Sequence, residues 1–113
     1  GIGTAVFVDG VLVPNTELGH VELDGVDTET RTSAAARERE SLGFAEWSVR
    51  LQRYFSHMEM LFSPDLFIVG GGISKKADKF LPRLSLATEI VPAQLLNQSG
   101  IVGAAVEAAR AAA

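Results

Sequence analysis

Leu66-Phe67-Ile68-Val69-Gly70-Gly71-Gly72-Ile73-Ser74-Lys75-Lys76-Ala77-Asp78 decides how this chain folds. Four apolar residues suited to a buried strand run into three glycines, and the residues after them read as the start of a helix. Three successive glycines remove every Cβ at the strand end, so a ligand can lie against bare backbone N–H groups. A helix starting there aims its positive dipole end at the same spot, which suits phosphate. The plainer reading is a glycine turn that serves only tight strand–helix packing. Two further glycine-bearing turns favour the ligand: Gly1-Ile2-Gly3-Thr4-Ala5 and Gly100-Ile101-Val102-Gly103-Ala104.

Around this stretch the order of elements is that of an α/β protein. Ala5-Val6-Phe7-Val8 and Val11-Leu12-Val13-Pro14 flank Asp9-Gly10, a strong hairpin signal. Asn15 to Val26 reads as a loop with a short extended piece at Val21-Glu22-Leu23. Thr28 to Glu40 reads as one helix, ended near Gly43. Phe44, Trp47, Leu51, Phe55, Met58 and Phe62 recur every three or four residues, one face of a long amphipathic helix stopped by Ser63-Pro64. After the glycine turn come a short helix through Phe80, stopped by Pro82, and an extended stretch from Leu84 to Val91. A last helix is expected from about Ser99 through the alanine-rich end, since alanine is the best helix former.

With 113 residues, 47% of them hydrophobic, the chain is one domain's worth of material with enough apolar content for a core. No apolar run approaches the roughly 20 residues of a membrane helix, and no basic segment precedes an apolar stretch at the N-terminus. The absence of cysteine excludes a disulfide scaffold and any thiolate metal site, and it fits a cytoplasmic protein. A net charge of −4 argues against nucleic acid as a partner. The first turn has no strand ahead of it, which reads as a piece of a larger protein.

Glu17-Leu18-Gly19-His20 is the best candidate for polar chemistry. A carboxylate and an imidazole three residues apart can point into one cleft and offer acceptors and a donor to a polyhydroxylated ligand. Lys75, Lys76, Lys79 and Arg83 form a basic run beside the glycine turn, spaced to share one helix face. It is either a polyanion guide or a solubilising surface. Arg37 and Arg39, interleaved with Glu38 and Glu40, read as a solvated helix face, and Trp47 as core. Asn97-Gln98-Ser99 matches a glycosylation sequon with no secretory signal to make it useful.

The combination of Gly1-Ile2-Gly3-Thr4-Ala5, Glu17-Leu18-Gly19-His20, Ile68-Val69-Gly70-Gly71-Gly72-Ile73-Ser74 and Gly100-Ile101-Val102-Gly103-Ala104-Ala105 resembles the C-terminal lobe of the ROK sugar kinases. Three longer matches favour the actinobacterial polyphosphate glucokinase branch: Phe7 to His20, Leu51 to His57 and Phe62 to Gly72. The resemblance implies an actin-like (ribonuclease H-like) fold of two lobes. This chain would be the C-terminal lobe, with the strands leading into its first turn truncated.

By position, Glu17 and His20 match the family's sugar-hydroxyl ligands. Glu29 is the candidate for a second family glutamate, with Glu22 as its competitor. Gly1, Gly3 and Thr4 match a phosphate turn, and Gly70, Gly71 and Gly72 the turn that holds the phosphoryl donor, with Lys75 and Lys76 beside it. Gly103 and Ala104 match a close-approach segment whose plainer reading is helix packing. Typical members carry a zinc site of one histidine and several cysteines, but the interval after His20 has no cysteine, so no zinc is expected.

The catalytic aspartate of the family lies in an Asn-Asp pair on the N-terminal lobe, and no aspartate here sits in that motif. The resemblance therefore implies glucose phosphorylation at the 6-hydroxyl by a full-length protein using inorganic polyphosphate or ATP with magnesium. Such a protein would be a homodimer, and this segment would be inactive alone. The competing expectations are the sugar-sensing lobe of a ROK transcriptional repressor and an ATP-dependent glucokinase or hexokinase.

Overall fold

A computed structural model describes residues 1–93 and the backbone of residues 104–107. Its elements are β1 (Thr4–Val8), β2 (Val11–Val13), β3 (Glu22–Leu23), β4 (Val26–Asp27), α1 (Thr28–Thr32), α2 (Ala34–Arg39) and α3 (Phe44–Phe62), then β5 (Leu66–Val69), β6 (Glu89–Pro92) and β7 (Ala104–Glu107). Short 3-10 segments cover Leu18–His20, Gly72–Lys79 and Leu81–Arg83. One five-stranded sheet has the order β2-β1-β7-β5-β6, and β3 and β4 form a separate hairpin. The sheet is mixed: β1 runs parallel to β7, β5 antiparallel to β7, and β5 parallel to β6. Among the described residues no helix is long and apolar enough to cross a membrane.

The long helix α3 supplies the core. It buries Trp47, Leu51, Tyr54, Phe55 and Met58, the face that the three-and-four spacing marks out. Phe55 meets Phe67 of β5 edge-on at 5.0 Å between ring centres, and Trp47 meets Phe80 edge-on at 5.1 Å. Each large side chain so buried is worth about 1.5–3 kcal/mol. The helix ends at Ser63, whose left-handed backbone (φ 44°) turns the chain into Pro64 and β5. The Asp9-Gly10 hairpin forms as read: positive φ at both residues (53° and 77°) gives a turn whose twist matches its strands.

Five expectations are corrected. Thr28 to Glu40 is two helices, because Ser33 adopts extended backbone (φ −64°, ψ 159°) and uses its hydroxyl to cap α2 by accepting from the Ala36 N–H. The segment after the glycines is a 3-10 helix, kinked at Lys76 (φ −108°, ψ 21°), so no continuous α-helix dipole points at the turn. Only the end of the stretch from Leu84 to Val91 pairs as a strand, starting at Glu89. Residues 104–107 are a strand between β1 and β5 where a helix was expected. Backbone pairing there overrides alanine's helix propensity.

The fifth correction concerns the arginines of α2. The Arg37 guanidinium stacks 4.3 Å over the Phe44 ring and donates to the Leu42 carbonyl, while Arg39 donates to the Thr30 carbonyl. Glu38, Arg39 and Glu40 are exposed, as expected of a solvated face, and Arg37 alone turns in to pack at the α2–α3 junction. The glycosylation sequon, the turn at Gly100–Gly103 and the alanine tail lie outside the described residues.

Candidate functional site

The loop between β2 and α1 is built around a second Asp-Gly hairpin. Asp24 and Gly25 have φ values of 56° and 77°, and β3 pairs Glu22 with Asp27. That turn returns the chain so that Asp27 stands beside His20. His20 Nδ1 lies 2.8 Å from Asp27 Oδ2, and His20 Nε2 lies 3.8 Å from Glu29 Oε2. Asp27 also caps α1, its other oxygen accepting the Glu29 N–H at 2.9 Å. One carboxylate thereby orients the imidazole and the helix turn that presents Glu29.

The pKa shifts follow from this pairing. The hydrogen bond to Asp27 raises the His20 pKa above its ordinary 6.5, helped by the charges of Asp27, Glu29 and Glu17. The bond from His20 holds Asp27 below its ordinary 3.8, assisted by backbone N–H donors at the start of α1.

The N-terminal turn is tied into the same cluster. Glu29 Oε2 accepts the Ile2 N–H at 3.1 Å, and Thr4 Oγ1 accepts the Leu18 N–H at 3.1 Å. Gly19 is buried against this turn: a Cβ there would lie 2.2 Å from the Ile2 carbonyl oxygen. From below, the Tyr54 hydroxyl of α3 donates to the Leu18 carbonyl at 3.1 Å.

Ile2 also faces a cavity of about 100 Å³. Gly1, Ile2 and Gly3 form one wall, and Val69, Gly70 and Ile73 another. The two glycine turns that stand far apart in sequence therefore border one hollow, because β7 brings β1 and β5 into a single sheet. Gly71 has φ 83° and ψ −179°, a conformation essentially reserved for glycine, and it starts the 3-10 segment. Ser74 closes the turn with its N–H and its hydroxyl both donating to the Gly71 carbonyl.

His20, Glu29, Gly1 and Thr4 are thus brought together, and Gly70 shares a cavity with Gly1 and Gly3. Glu17 stays exposed, near enough for its charge to act on His20. Glu22 is exposed, with its backbone paired to Asp27 in the β3–β4 hairpin, whereas the Glu29 side chain reaches both His20 and Ile2. Lys75 and Lys76 are exposed and do not line the cavity. The kink at Lys76 breaks the single helix face on which Lys75, Lys76, Lys79 and Arg83 were expected to lie.

Sequence reasoning passed over Asp27. The signals were Asp24-Gly25, a hairpin dipeptide between short extended pieces, and an aspartate immediately before a helix. Among the described residues no group of three or more His, Cys, Asp or Glu side chains is placed to hold a metal ion.

These features define an α/β protein with a polar cluster beside a largely apolar cavity that Gly1, Gly3 and Gly70 border and Trp47, Leu51, Phe55 and Phe80 line, and its relatives are sugar-phosphorylating enzymes. The chain is 47% identical over 105 residues to a polyphosphate glucokinase of Mycobacterium tuberculosis, covering 93% of this chain and 40% of that protein. A polyphosphate glucokinase of Mycobacterium leprae is 45% identical over 105 residues, again 93% of this chain, but 32% of its own length. The crystal structure of an inorganic polyphosphate/ATP-glucomannokinase from Arthrobacter sp. strain KM superposes with a TM-score of 0.76 at 59% identity. It covers 81% of this chain and 40% of the glucomannokinase. No protein-family model matches. The chain is homologous to one segment of these actinobacterial kinases and spans about two fifths or less of their length.

Proposed function

We propose that the protein carrying this chain transfers a phosphoryl group from inorganic polyphosphate, and secondarily from ATP, to the 6-hydroxyl of glucose. The observation that carries this reading is the 59% identity to a polyphosphate/ATP-glucomannokinase over 81% of this chain. The chain is then the C-terminal lobe of a two-lobe, actin-like ROK kinase. The base that takes the hydroxyl proton comes from the other lobe.

In this reading Glu29 and Glu17 accept hydrogen bonds from sugar hydroxyls, and His20, held by Asp27, binds a further hydroxyl. Phosphoryl transfer depends mostly on positioning and charge stabilisation. Backbone N–H groups of the glycine turns suit a donor that has repeated phosphates and no base to recognise. The described residues do not make a magnesium cage: no carboxylate among them lines the cavity, and Asp27 and Glu29 already accept hydrogen bonds. Magnesium is assigned to the donor's phosphates instead.

The test is phosphoryl transfer by the full-length protein, with glucose and mannose as acceptors and polyphosphate and ATP as donors. Mannose is included because the Arthrobacter relative is a glucomannokinase. Turnover with both donors is expected, and faster turnover with polyphosphate. Glucose phosphorylation from ATP alone would sink the donor assignment, and no transfer from either donor would sink the kinase reading.

A further inference from the structure

The face of α3 opposite the glycine-turn cavity borders a second hollow, of about 250 Å³. Leu23, Val26 and Val49 give it an apolar lining, and Arg31 of α1 and Arg50 and Arg53 of α3 give it charge. Thr32 borders both hollows. Three arginines and one carboxylate, Asp24, line it, and a second carboxylate, Glu40, pairs with Arg50, which leaves the hollow with net positive charge in a chain whose net charge is −4.

The three arginines are committed to different degrees. Arg50 is fixed, with two bonds of 2.8 Å to Glu40 and a third, of 2.7 Å, to the Arg31 carbonyl. Arg53 makes a single 3.1 Å contact with Asp24, between side chains 52% and 70% exposed, so the pair is weak and easily exchanged. Among the described residues the Arg31 guanidinium has no hydrogen-bond or salt-bridge partner. Arg50 is locked in place, Arg53 is loosely held, and Arg31, whose charge also acts on Glu40, makes no bond of its own.

We propose that this hollow binds a polyvalent phosphate anion, an oligophosphate, at a site separate from the glycine-turn cavity. Guanidinium forks match phosphate oxygens. A monovalent anion gains little by displacing Asp24 from Arg53. A chain of phosphates bridges Arg53 and Arg31 together, while Arg50 stays paired with Glu40. The site rests on the hollow's own chemistry, so it stands or falls separately from glucose phosphorylation.

The experiment is a titration of the full-length protein with tripolyphosphate at low salt, by calorimetry and by amide NMR shifts, without sugar or ATP. Shifts are expected at Asp24, Arg31 and Arg53. Arg31→Ala should weaken this binding about tenfold, the loss of a charge-assisted hydrogen-bonding partner. Asp24→Asn should tighten it by freeing Arg53, and asparagine tolerates the positive φ of that turn. Opposite signs from two surface substitutions do not arise from damage to the fold, which circular dichroism melting checks directly.

A parallel titration with long-chain polyphosphate separates two sources of the same chemistry. Arg31→Ala weakens long chains more if the hollow holds the donor's distant end, and both equally if it takes a free oligophosphate. Shifts confined to the Gly70–Lys76 turn, or unaltered binding in both variants, would overturn the proposal.

Discussion

A Cβ added at Gly19 would sit 2.2 Å from the Ile2 carbonyl oxygen, whereas one added at Gly72 would meet nothing within 4 Å. The two glycines border the two halves of the candidate site, and the contrast extends to their surroundings. Around Gly19 the loop is anchored from several sides, by Thr4, by Tyr54 and through the Glu29–Ile2 bond. Around Gly72 the turn closes on itself through Ser74, and its two lysines face outward. One half is a preorganised polar cluster, which the proposed function gives to the sugar. The other is open backbone, suited to a ligand recognised by charge and repeat rather than by shape.

The sharpest way to break this contrast is to add a methyl group on each side. Gly19→Ala must push the Leu18–His20 turn away from Ile2, at about 3 kcal/mol or more of stability, the upper range for overpacking against backbone. Gly72→Ala should change stability by less than about 0.5 kcal/mol, as surface substitutions usually do. Paired thermal or denaturant melts decide the matter, and equal losses would erase the distinction.

Next in size are the sugar-side substitutions. Glu17→Ala and His20→Ala in the full-length enzyme should each weaken glucose binding by roughly 1–3 kcal/mol, the cost of leaving a hydroxyl unpaired. Steady-state kinetics with glucose would show a raised KM or a lowered kcat with the fold intact. Unchanged kinetics in both variants would return the pair to an ordinary surface loop.

Charge reversal on the donor side should act more weakly. Lys75→Glu with Lys76→Glu is expected to reduce turnover with long-chain polyphosphate a fewfold more than with ATP. The difference should fade as salt rises and the screening length drops to about 8 Å. An equal effect on both donors would leave the lysines as a solubilising surface.

The smallest effect is a titration. His20's raised pKa means its pairing with Asp27 stabilises the loop fully below pH 6.5 and is lost as pH rises through the folded value. Asp27's depressed pKa means its share is present above pH 3.8 and is lost as pH falls through its own folded value. The pair is therefore intact between about pH 3.8 and 6.5 and persists somewhat beyond both limits. Asp27→Asn should bring the His20 pKa, followed by proton NMR, back toward 6.5. An unchanged midpoint would show that Asp27 does not set it.

How much of this was legible follows from where each signal lies. The face of α3 and the β5–Gly70 junction were readable because their patterns are local: an apolar residue every third or fourth place, and a strand running into glycine. The Asp9-Gly10 hairpin was readable because valines flank it. The same dipeptide at Asp24-Gly25 was passed over because its strands are two residues each and partly polar, and with it went the position of Asp27. Ser33 broke an apparently single helix because a buried serine hydroxyl caps α2. The strand at Ala104–Glu107 was illegible because alanine favours helix, and only long-range pairing with β1 and β5 overrides it.

The hydroxyl of Tyr54 has one further consequence. It leaves the middle of the core helix and ends on the Leu18 carbonyl, and burial keeps the phenol protonated by raising its pKa. A loop held this way does not open by itself: releasing Leu18 strands a buried donor unless α3 loosens as well. In native-state hydrogen exchange, the amides of Val21 and Thr28, bonded to the Leu18 and Val21 carbonyls, should then exchange together with those of α3 rather than at the rate of a surface loop. The Leu18–His20 loop would melt as part of the core's cooperative unit, and its order would be set by the stability of the whole domain.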